Sequence, residues 1–184
     1  MTTENTNNTL SSDRVTLRSI SETDVDAIFA YRSLESIARY QYWEPYTKDQ
    51  AKEFVDRNKD AGLEKRGEWI GLAIIHRADK KLIGDCALKI EDTRAEIGCN
   101  ISPDYQKQGL AKEVLRLLSD YCFNNTDVRI IEGITDSENK ASIRLMESVG
   151  MAKVSDFEEK LICKGKPCVE YKYSLEKTKN NNIK

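Results

Sequence analysis

Residues 96–111 read E-I-G-C-N-I-S-P-D-Y-Q-K-Q-G-L-A and join a predicted strand to a predicted helix through a short polar loop. Gly109 and Ala111 stand at the helix start, where small side chains let a ligand approach the backbone closely. The first N–H groups of a helix lack intrahelical partners and lie at the positive end of its dipole, so this start can bind a phosphate or pyrophosphate. Lys107 and Lys112 add positive charge. An ordinary helix start with a packing glycine is the alternative, because short motifs recur by chance.

Outward from this loop, hydrophobic periodicity predicts about seven strands and about four helices. The strands fall at 15–20, 68–76, 81–90, 94–101, 128–135, 151–163 and 168–174, and the helices at 21–33, 47–62, 110–123 and 139–149, with a short helical piece at 34–38. Turns between 68 and 101 are too short for crossovers, so these strands form antiparallel hairpins. The order β-α-α-β-β-β-α-β-α-β-β predicts an α+β fold with a mixed, mostly antiparallel sheet.

The 184 residues are 39% hydrophobic, which suffices for one domain with a core. We place that domain at 14–175, between a disordered leader at 1–13 and a polar tail at 176–184. The 29 Lys and Arg against 31 Asp and Glu give a net charge of −2, which argues against nucleic-acid binding through bulk charge. No apolar run approaches the ~20 residues of a membrane helix. We therefore expect a cytoplasmic protein that binds neither nucleic acid nor membranes.

Cysteine and histidine usage narrows the chemistry. The sequence has five cysteines without a C-x-x-C pair and a single histidine, His76, so we expect small buried thiols and no metal site. His76 ends an apolar strand, an ordinary structural position, which disfavours Ser-His-Asp and Cys-His enzymes. The motifs G-x-x-x-x-G-K-[ST], G-x-G-x-x-G and G-x-S-x-G are absent from the sequence. The cysteines are Cys86, Cys99, Cys122, Cys163 and Cys168.

Three motifs resemble a known family. Q-x-x-G-x-A at 106–111 resembles the Q/R-x-x-G-x-G/A motif with which GNAT N-acetyltransferases bind the pyrophosphate of acetyl-CoA. E-I-G-C-N-I at 96–101, followed by S-P-D-Y, is similar to the fourth strand of the RimJ/RimL branch, often E-I-G-Y-W-L before P-x-Y. N-x-x-S-x-x-L at 139–145 with V-G-M at 149–151 is similar to that branch's N-x-x-S-x-x-x-x-E-x-x-G-F. V-T-L-R at 15–18 and W-x-P-x-T at 43–47 resemble its N-terminal segment, so the resemblance spans about 14–174.

The resemblance implies a GNAT fold over 14–175 and direct transfer of an acetyl group from the cosubstrate acetyl-CoA to an amine. Backbone groups of Cys99 and Ile101 would pair with pantetheine like an added strand, in a gap between strands 94–101 and 128–135. Asn139 would contact the cofactor arm, and Ser142 would protonate the leaving thiolate. The remaining cofactor-binding residues would be Gln106, Lys107, Gln108, Gly109, Leu110 and Ala111. Cys99 and Asn100 replace common aromatics of this strand, a departure that bears on the acceptor side.

The acceptor amine must lose a proton before it reacts. An α-amine with a pKa of ~7.7–8 needs only about 1 kcal/mol to become neutral at pH 7, whereas a lysine amine at ~10.4 needs about 4–5 kcal/mol. Glu96 is the best candidate base, since it opens the strand that faces the cofactor. A solvated strand-end carboxylate is the alternative reading of Glu96. Glu44 and Glu132 are lesser candidates, and a weak base favours an α-amine on a protein N-terminus or a small molecule.

An aromatic stretch marks the predicted acceptor side. Tyr40, Tyr42, Trp43 and Tyr46 would form the rim over the acceptor groove, or alternatively a small lid on the core, because aromatic side chains bury well in either place. Two function classes stay open at this point. The first is an N-acetyltransferase, monomeric or homodimeric, and the second is a catalytically idle GNAT-fold module that binds acyl-CoA or a protein partner.

Overall fold

The computed structural model describes residues 9–178. Within that range the strands are β1 (Leu10–Ser11), β2 (Val15–Ser19), β3 (Trp69–His76), β4 (Lys81–Glu91), β5 (Arg94–Ile101), β6 (Ile130–Asp136), β7 (Ala152–Cys163) and β8 (Lys166–Glu176). The helices are α1 (Val25–Arg32), α2 (Glu35–Ala38), α3 (Lys48–Asn58), α4 (Leu110–Asn125) and α5 (Lys140–Ser148), with 3-10 turns at Glu22–Asp24 and Pro103–Tyr105. In this part of the chain no helix is both long and apolar enough to cross a membrane.

All the strands form one sheet in the order β1-β2-β3-β4-β5-β6-β8-β7. Every neighbouring pair is antiparallel except β5–β6, which run parallel. A parallel pair needs a long crossover, and α4 with its flanking loops supplies it. The α+β class and the predicted antiparallel hairpins of β3, β4 and β5 are confirmed.

The helices pack on both faces of the sheet. On one, the α4 face, helices α4 and α5 cover the large apolar cluster, in which Leu110, Val114 and Leu118 pack with strand residues such as Ile97. On the other, the α1 face, helices α1, α2 and α3 cover a smaller cluster that includes Ile28, Tyr31 and Val55. Fully burying an aliphatic side chain contributes about 1.5–3 kcal/mol, so the α4 face carries most of the hydrophobic stabilisation.

Two helix starts follow from capping boxes, as the sequence predicts. The Ser21 hydroxyl accepts from the Thr23 N–H, and the Asp24 carboxylate accepts from the Ser21 N–H at 2.8 Å. The Thr47 hydroxyl accepts from the Gln50 N–H at 3.2 Å, and Gln50 Oε1 accepts from the Thr47 N–H at 2.8 Å. These contacts satisfy N–H groups that would otherwise lack partners, and they set where the aromatic stretch before α3 ends.

The N-terminal edge differs from the prediction. Leu10–Ser11 form β1 against β2, in place of the disordered leader predicted for 1–13, whose residues 1–8 lie outside the described range. Leu10 packs on the large cluster, and the Ser12 hydroxyl donates to Glu113 of α4 at 2.8 Å. These contacts are distant in sequence, so local composition did not indicate them. The described chain thus has eight strands and five helices rather than about seven and four.

The last strand, β8, also ends later in the sequence than predicted. Glu176 is the last residue of β8, so the predicted tail at 176–184 starts inside the sheet. The Lys177 N–H donates to the Arg129 carbonyl at 2.8 Å, which holds the chain beyond the strand. Residues 179–184 of the predicted tail lie outside the described range.

The prediction of unpaired cysteines is wrong at the β7–β8 hairpin. Cys163 and Cys168 form a disulfide, with their Cα atoms 5.9 Å apart. The tight turn after Cys163 brings the ends of the two strands together. The spacing of C-x-x-C pairs in the sequence does not indicate this pairing. Cys86, Cys99 and Cys122 are free, as predicted.

Candidate active site

The parallel strands β5 and β6 separate soon after they meet. They pair only at Arg94–Ile130, Ala95–Ile131 and Glu96–Glu132, and beyond Glu96 they diverge. The Ser102 N–H donates to Ile83 of β4 at 2.7 Å, and alternate residues of a strand direct their backbone groups to opposite sides. The N–H and C=O groups of Cys99 and Ile101 therefore point into the gap. An extended ligand could add to this edge as a further strand.

The loop before α4 is held by its own side chains. Gln106 Nε2 donates to the Ile101 carbonyl at 2.8 Å, and Gln108 Nε2 donates to the Asp104 carbonyl at 3.1 Å. Lys107 adopts a positive φ of 59°. The predicted cofactor-binding side chain of Gln106 thus turns back onto β5, where it fixes the loop beside the gap.

Helix α4 begins without a side-chain cap. Gly109 is its N-cap at φ 80°, a left-handed conformation that glycine adopts without the steric penalty of a side chain. No side chain caps the first-turn N–H groups, which include those of Leu110 and Ala111. Arg14 Nη1 donates to the Gln108 carbonyl at 2.9 Å, and Arg14 also pairs with Glu113. The loop therefore combines uncapped N–H donors with the adjacent guanidinium of Arg14, and this arrangement suits a pyrophosphate.

Helix α5 places its first turn next to the diverging part of β6. Asn139 Oδ1 accepts from the Ser142 N–H at 3.2 Å, so Asn139 caps the helix, and Ser142 is half-buried. A Cβ on Gly133 of β6 would lie 2.6 Å from Met146 Sδ, so a larger residue there would require the Met146 side chain to move. The structure thus brings Asn139 and Ser142 to the α4 face of the gap, while their roles toward a ligand stay predictions.

Glu96 lies at the last paired position before the gap opens, on the α1 face. Partial burial raises the pKa of its carboxyl; the neighbouring Glu132 and Glu170 also raise it, and Lys172 and Lys89 oppose this. The two lesser candidates are both paired with cations. Glu132 accepts from Arg94 at 2.7 Å and lies 3.6 Å from Lys172 Nζ, and exposed Glu44 lies 3.7 Å from Lys164 Nζ. Of these three candidates Glu96 lies where the gap opens, and its role as a base stays a prediction.

The thiol of Cys99 is not suited to thiolate chemistry, and the ligand-binding role of its backbone stays a prediction. Desolvation raises the pKa of its thiol to about 12, and the negative charge of Asp85 adds to the shift. A thiol with that pKa is protonated at neutral pH and is a poor nucleophile. The side chain lies against the large cluster on the α4 face.

Arg32 anchors the C-terminal part of the rim segment, which comprises residues 39–46. The Arg32 guanidinium lies 4.6 Å from the Trp43 ring centroid and 5.0 Å from that of Tyr46, and it ion-pairs with buried Asp85 at 2.7 Å. Phe54 of α3 stacks on the same guanidinium at 3.9 Å. Trp43 and Tyr46 pack as the core-lid interpretation predicts, and their contact with an acceptor stays a prediction.

The other part of the rim segment crosses the sheet beside the gap. Gln41 Nε2 donates to Asn100 Oδ1 of β5 at 3.2 Å, and the Tyr42 hydroxyl donates to Glu170 of β8. Tyr42 is 67% exposed. Tyr40 is half-buried and lies under the guanidinium of Arg39. Of the predicted rim aromatics, Tyr42 is therefore the one whose polar end reaches the open side of the site.

Sequence reasoning missed Arg14, Arg32 and Glu170. Arg14 precedes a predicted strand, and Arg32 ends a predicted helix, where a cation is ordinary. Glu170 alternates with apolar residues along a strand, which placed it on the opposite face from Val169 but did not indicate burial. Each acquires its role through contacts at sequence separations of 53 residues or more.

The residues present fit a coenzyme A thioester. The strand edge that faces the gap at Cys99 and at the Ile101 N–H suits the amide groups of pantetheine, while the Ile101 carbonyl already accepts from Gln106. The uncapped start of α4 suits the pyrophosphate. Within residues 9–178 no group of three or more His, Cys, Asp or Glu side chains is placed to hold a metal ion. The fold and the site define an acyl-CoA-binding protein.

The chain belongs to the acetyltransferase (GNAT) family, whose domain model matches residues 14–152, and it is an acetyl-CoA-dependent N-acetyltransferase. It is 33% identical over 172 residues to the uncharacterized N-acetyltransferase YoaA of Bacillus subtilis, covering 91% of this chain and 96% of that one. It is 30% identical over 174 residues to the uncharacterized N-acetyltransferase p20 of Bacillus licheniformis, covering 91% and 95%.

Solved structures share the fold at lower identity. A GNAT acetyltransferase from Bacillus anthracis superposes with a TM-score of 0.82 at 23% identity, covering 91% of this chain and 98% of that one. A spermidine N-acetyltransferase from Vibrio cholerae, bound to CoA and spermine, has a TM-score of 0.73 at 22% identity, covering 90% and 96%. RimL, a ribosomal L7/L12 alpha-N-protein acetyltransferase, in complex with CoA, has a TM-score of 0.78 at 16% identity, covering 91% and 97%.

Proposed function

We propose that the acceptor of this N-acetyltransferase is an α-amine, on a protein N-terminus or a small molecule, and that Glu96 takes its proton. The observation that carries the proposal is the place of Glu96 where the β5–β6 gap opens. Burial raises the pKa of Glu96, which makes its carboxylate a better base than an ordinary glutamate. The usual pKa of an α-amine, ~7.7–8, is closer to the pKa of such a base than the ~10.4 of a lysine amine is.

In the proposed reaction, backbone groups of Cys99 and Ile101 hold pantetheine, and those of Gln108 to Ala111 hold the pyrophosphate. Acetyl-CoA supplies an activated acetyl group as its thioester. The proton of the acceptor passes through water to the Glu96 carboxylate, and the neutral nitrogen forms the new C–N bond as the C–S bond breaks. Ser142 Oγ gives a proton to the departing sulfur and is reprotonated through water by the second proton that the nitrogen loses, so that the products are an amide and the CoA thiol.

Release of free thiol from acetyl-CoA, measured with a panel of amines, tests which class of amine is the acceptor. The panel pairs peptides with free N-termini and blocked lysines against Nα-acetyl-lysine peptides with a free ε-amine, and it includes spermidine. We expect the highest kcat/KM on α-amines, because their neutral form is more abundant near pH 7–8. Preferred acetylation of ε-amines or of spermidine would contradict the α-amine proposal. Tight CoA binding without turnover on any amine would favour the idle binding module.

The pH dependence of kcat/KM tests Glu96. A base must be ionised to act, so the acid limb of the profile should fall as the pH drops through the pKa of Glu96, above the ~4.3 of an unperturbed glutamate. We expect Glu96→Gln to lower kcat by about 10²–10⁴-fold, the usual worth of general-base catalysis, and to remove that limb. Glu91→Gln, at an exposed strand end, is the matched control. An unchanged profile in Glu96→Gln would exclude Glu96 as the base.

A further inference from the structure

Glu170 is a buried carboxylate on the open side of the active site. It lies in β8, where its Cα pairs with Asp136 of β6 and with Glu159 of β7. Only 8% of the residue is exposed. Tyr171 and Tyr173, which follow it in β8, pack with the large cluster, so by the alternation of a strand Glu170 projects to the α1 face. That is the face on which Glu96 lies and over which the rim segment crosses.

The contacts of Glu170 leave its charge without a cationic partner. The Tyr42 hydroxyl donates to Glu170 Oε1, but the phenol is uncharged, so this hydrogen bond does not neutralise the carboxylate. Burial and this hydrogen bond raise the pKa of Tyr42, so the phenol stays a protonated donor. Among residues 9–178, no Lys, Arg or His nitrogen lies within 4.0 Å of the Glu170 carboxylate. A buried charge without a counter-ion is costly, and a bound cation would offset that cost.

A neighbouring carboxylate of the same face shows the contrast. Glu132 in β6 is paired with both Arg94 and Lys172, at 2.7 Å and 3.6 Å. The protein therefore neutralises the carboxylate at the closed end of the β5–β6 pair and leaves Glu170, nearer the open end, with Tyr42 alone. Glu96 and Glu159 add negative charge to the surroundings of Tyr42. The open end of the α1 face therefore has a negative electrostatic potential and is covered by the phenol of Tyr42.

We propose that Glu170 binds a second positive charge on the acceptor, so that the preferred substrates carry a cationic group in addition to the amine that is acetylated. The proposal rests on the proposed function, because it uses the acceptor side of the same site. Tyr42 keeps its hydrogen bond to Oε1, and the cation of the acceptor donates to the other carboxylate oxygen. Charge-assisted hydrogen bonds of this kind are stronger than neutral ones, so they can set specificity.

L-argininamide and L-citrullinamide test the proposal, because they present the same α-amine and nearly the same shape but differ in side-chain charge. Their dissociation constants are measured by calorimetry on the CoA-bound protein, and their kcat/KM values are measured with acetyl-CoA. We expect the wild-type protein to bind argininamide about ten-fold more tightly, the worth of one charge-assisted contact. Glu170→Gln should reduce this preference to about two-fold or less and leave the KM of acetyl-CoA unchanged.

Glu159→Gln is the matched control, since it removes a carboxylate directly opposite Glu170 in β7 but at an exposed position. The preference for argininamide should survive it. Equal affinity for the two amides in the wild-type protein, or a preference that survives Glu170→Gln, would overturn the proposal. An equal loss for both amides in Glu170→Gln would also overturn it, because the carboxylate would then bind the reacting amine instead.

Tyr42→Phe provides a second variant in case Glu170→Gln fails to fold, since Tyr42 is largely exposed. Removing the hydroxyl frees Oε1, so argininamide should bind several-fold more tightly while citrullinamide changes little. Equal changes for both amides would contradict the proposal. Selective binding of argininamide without its acetylation would refute the α-amine function and leave the role of Glu170 intact, whereas acetylation of both amides without preference would do the reverse.

Discussion

The backbone conformation of Gly109 shapes the predicted cofactor site. Its φ of 80° places it in the left-handed region, and its position as N-cap of α4 exposes the first N–H groups of that helix. A Cβ at this residue would lie 3.4 Å from Arg14 Nη2, against the cation that supports the loop. That distance is an ordinary contact, so backbone strain rather than crowding would act where the pyrophosphate is expected to bind.

We predict that Gly109→Val abolishes acetyl-CoA binding while the protein stays folded. A left-handed conformation costs a side-chain-bearing residue about 1–2 kcal/mol, so the loop should rearrange. Gly67→Val is the matched control, because Gly67 also has a positive φ of 75° and open space around it. Calorimetric titration with acetyl-CoA is the measurement. Wild-type affinity in Gly109→Val would show that the pyrophosphate does not bind at this helix start.

A substitution of Ser142 tests its proposed role as the proton donor to the leaving sulfur. We predict that Ser142→Ala lowers kcat by more than ten-fold and changes acetyl-CoA affinity little, because charge on the leaving sulfur develops only in the transition state. Ser148→Ala, in the same helix with its hydroxyl on the Leu145 carbonyl, is the control. Steady-state kinetics and binding are compared. Equal losses in both quantities would reduce Ser142 to a packing or capping residue.

At the scale of elements, the rim segment couples the helices of the α1 face to the gap. Arg32 holds Trp43 and Tyr46 at one end, and Tyr42 reaches Glu170 in β8 at the other. Lys164 at the β7–β8 turn adds a third anchor, as its Nζ donates to the Ala38 carbonyl at 2.9 Å just before the segment. Three separate parts of the fold thus set the position of one irregular stretch.

Removal of the Trp43 ring should therefore loosen the acceptor side alone. We predict that Trp43→Ala raises the KM of the acceptor several-fold and spares acetyl-CoA binding, since the cofactor edge belongs to β5 and α4. Phe54→Ala is the control, because Phe54 stacks on the same guanidinium from α3 and lies outside the rim segment. If the two variants had the same acceptor kinetics, Trp43 would act through core packing.

At the scale of the whole molecule, binding of the cosubstrate should stabilise the fold. A ligand that binds only the folded state adds about 2.7 kcal/mol at a hundred times its Kd. For a domain of this size we expect acetyl-CoA at that concentration to raise the melting temperature by roughly 5–10 °C. Thermal denaturation with and without acetyl-CoA measures this, with Gly109→Val as the variant that should show no shift. No shift in the wild-type protein would contradict the cofactor assignment in solution.

The sequence by itself determined the features that local chemistry controls. Capping boxes at Ser21 and Thr47, the turn at Gly109 and the short turns between β3, β4 and β5 depend on residues within a few positions of one another. Periodicity located the helices and most strands because burial of one face repeats with the geometry of each element. The family motifs then indicated the cofactor and the order of the elements.

Only the tertiary structure decided the features that depend on distant parts of the chain. The divergence of β5 from β6, the contact of Ser12 with Glu113, the cation beside the α4 loop and the contact of Tyr42 with Glu170 all involve segments remote in sequence. Composition and periodicity describe which face of an element is buried, but they do not specify which other element covers it. The charge and burial of Glu170 arise from such a covering contact, which is why the acceptor side emerged only from the folded molecule.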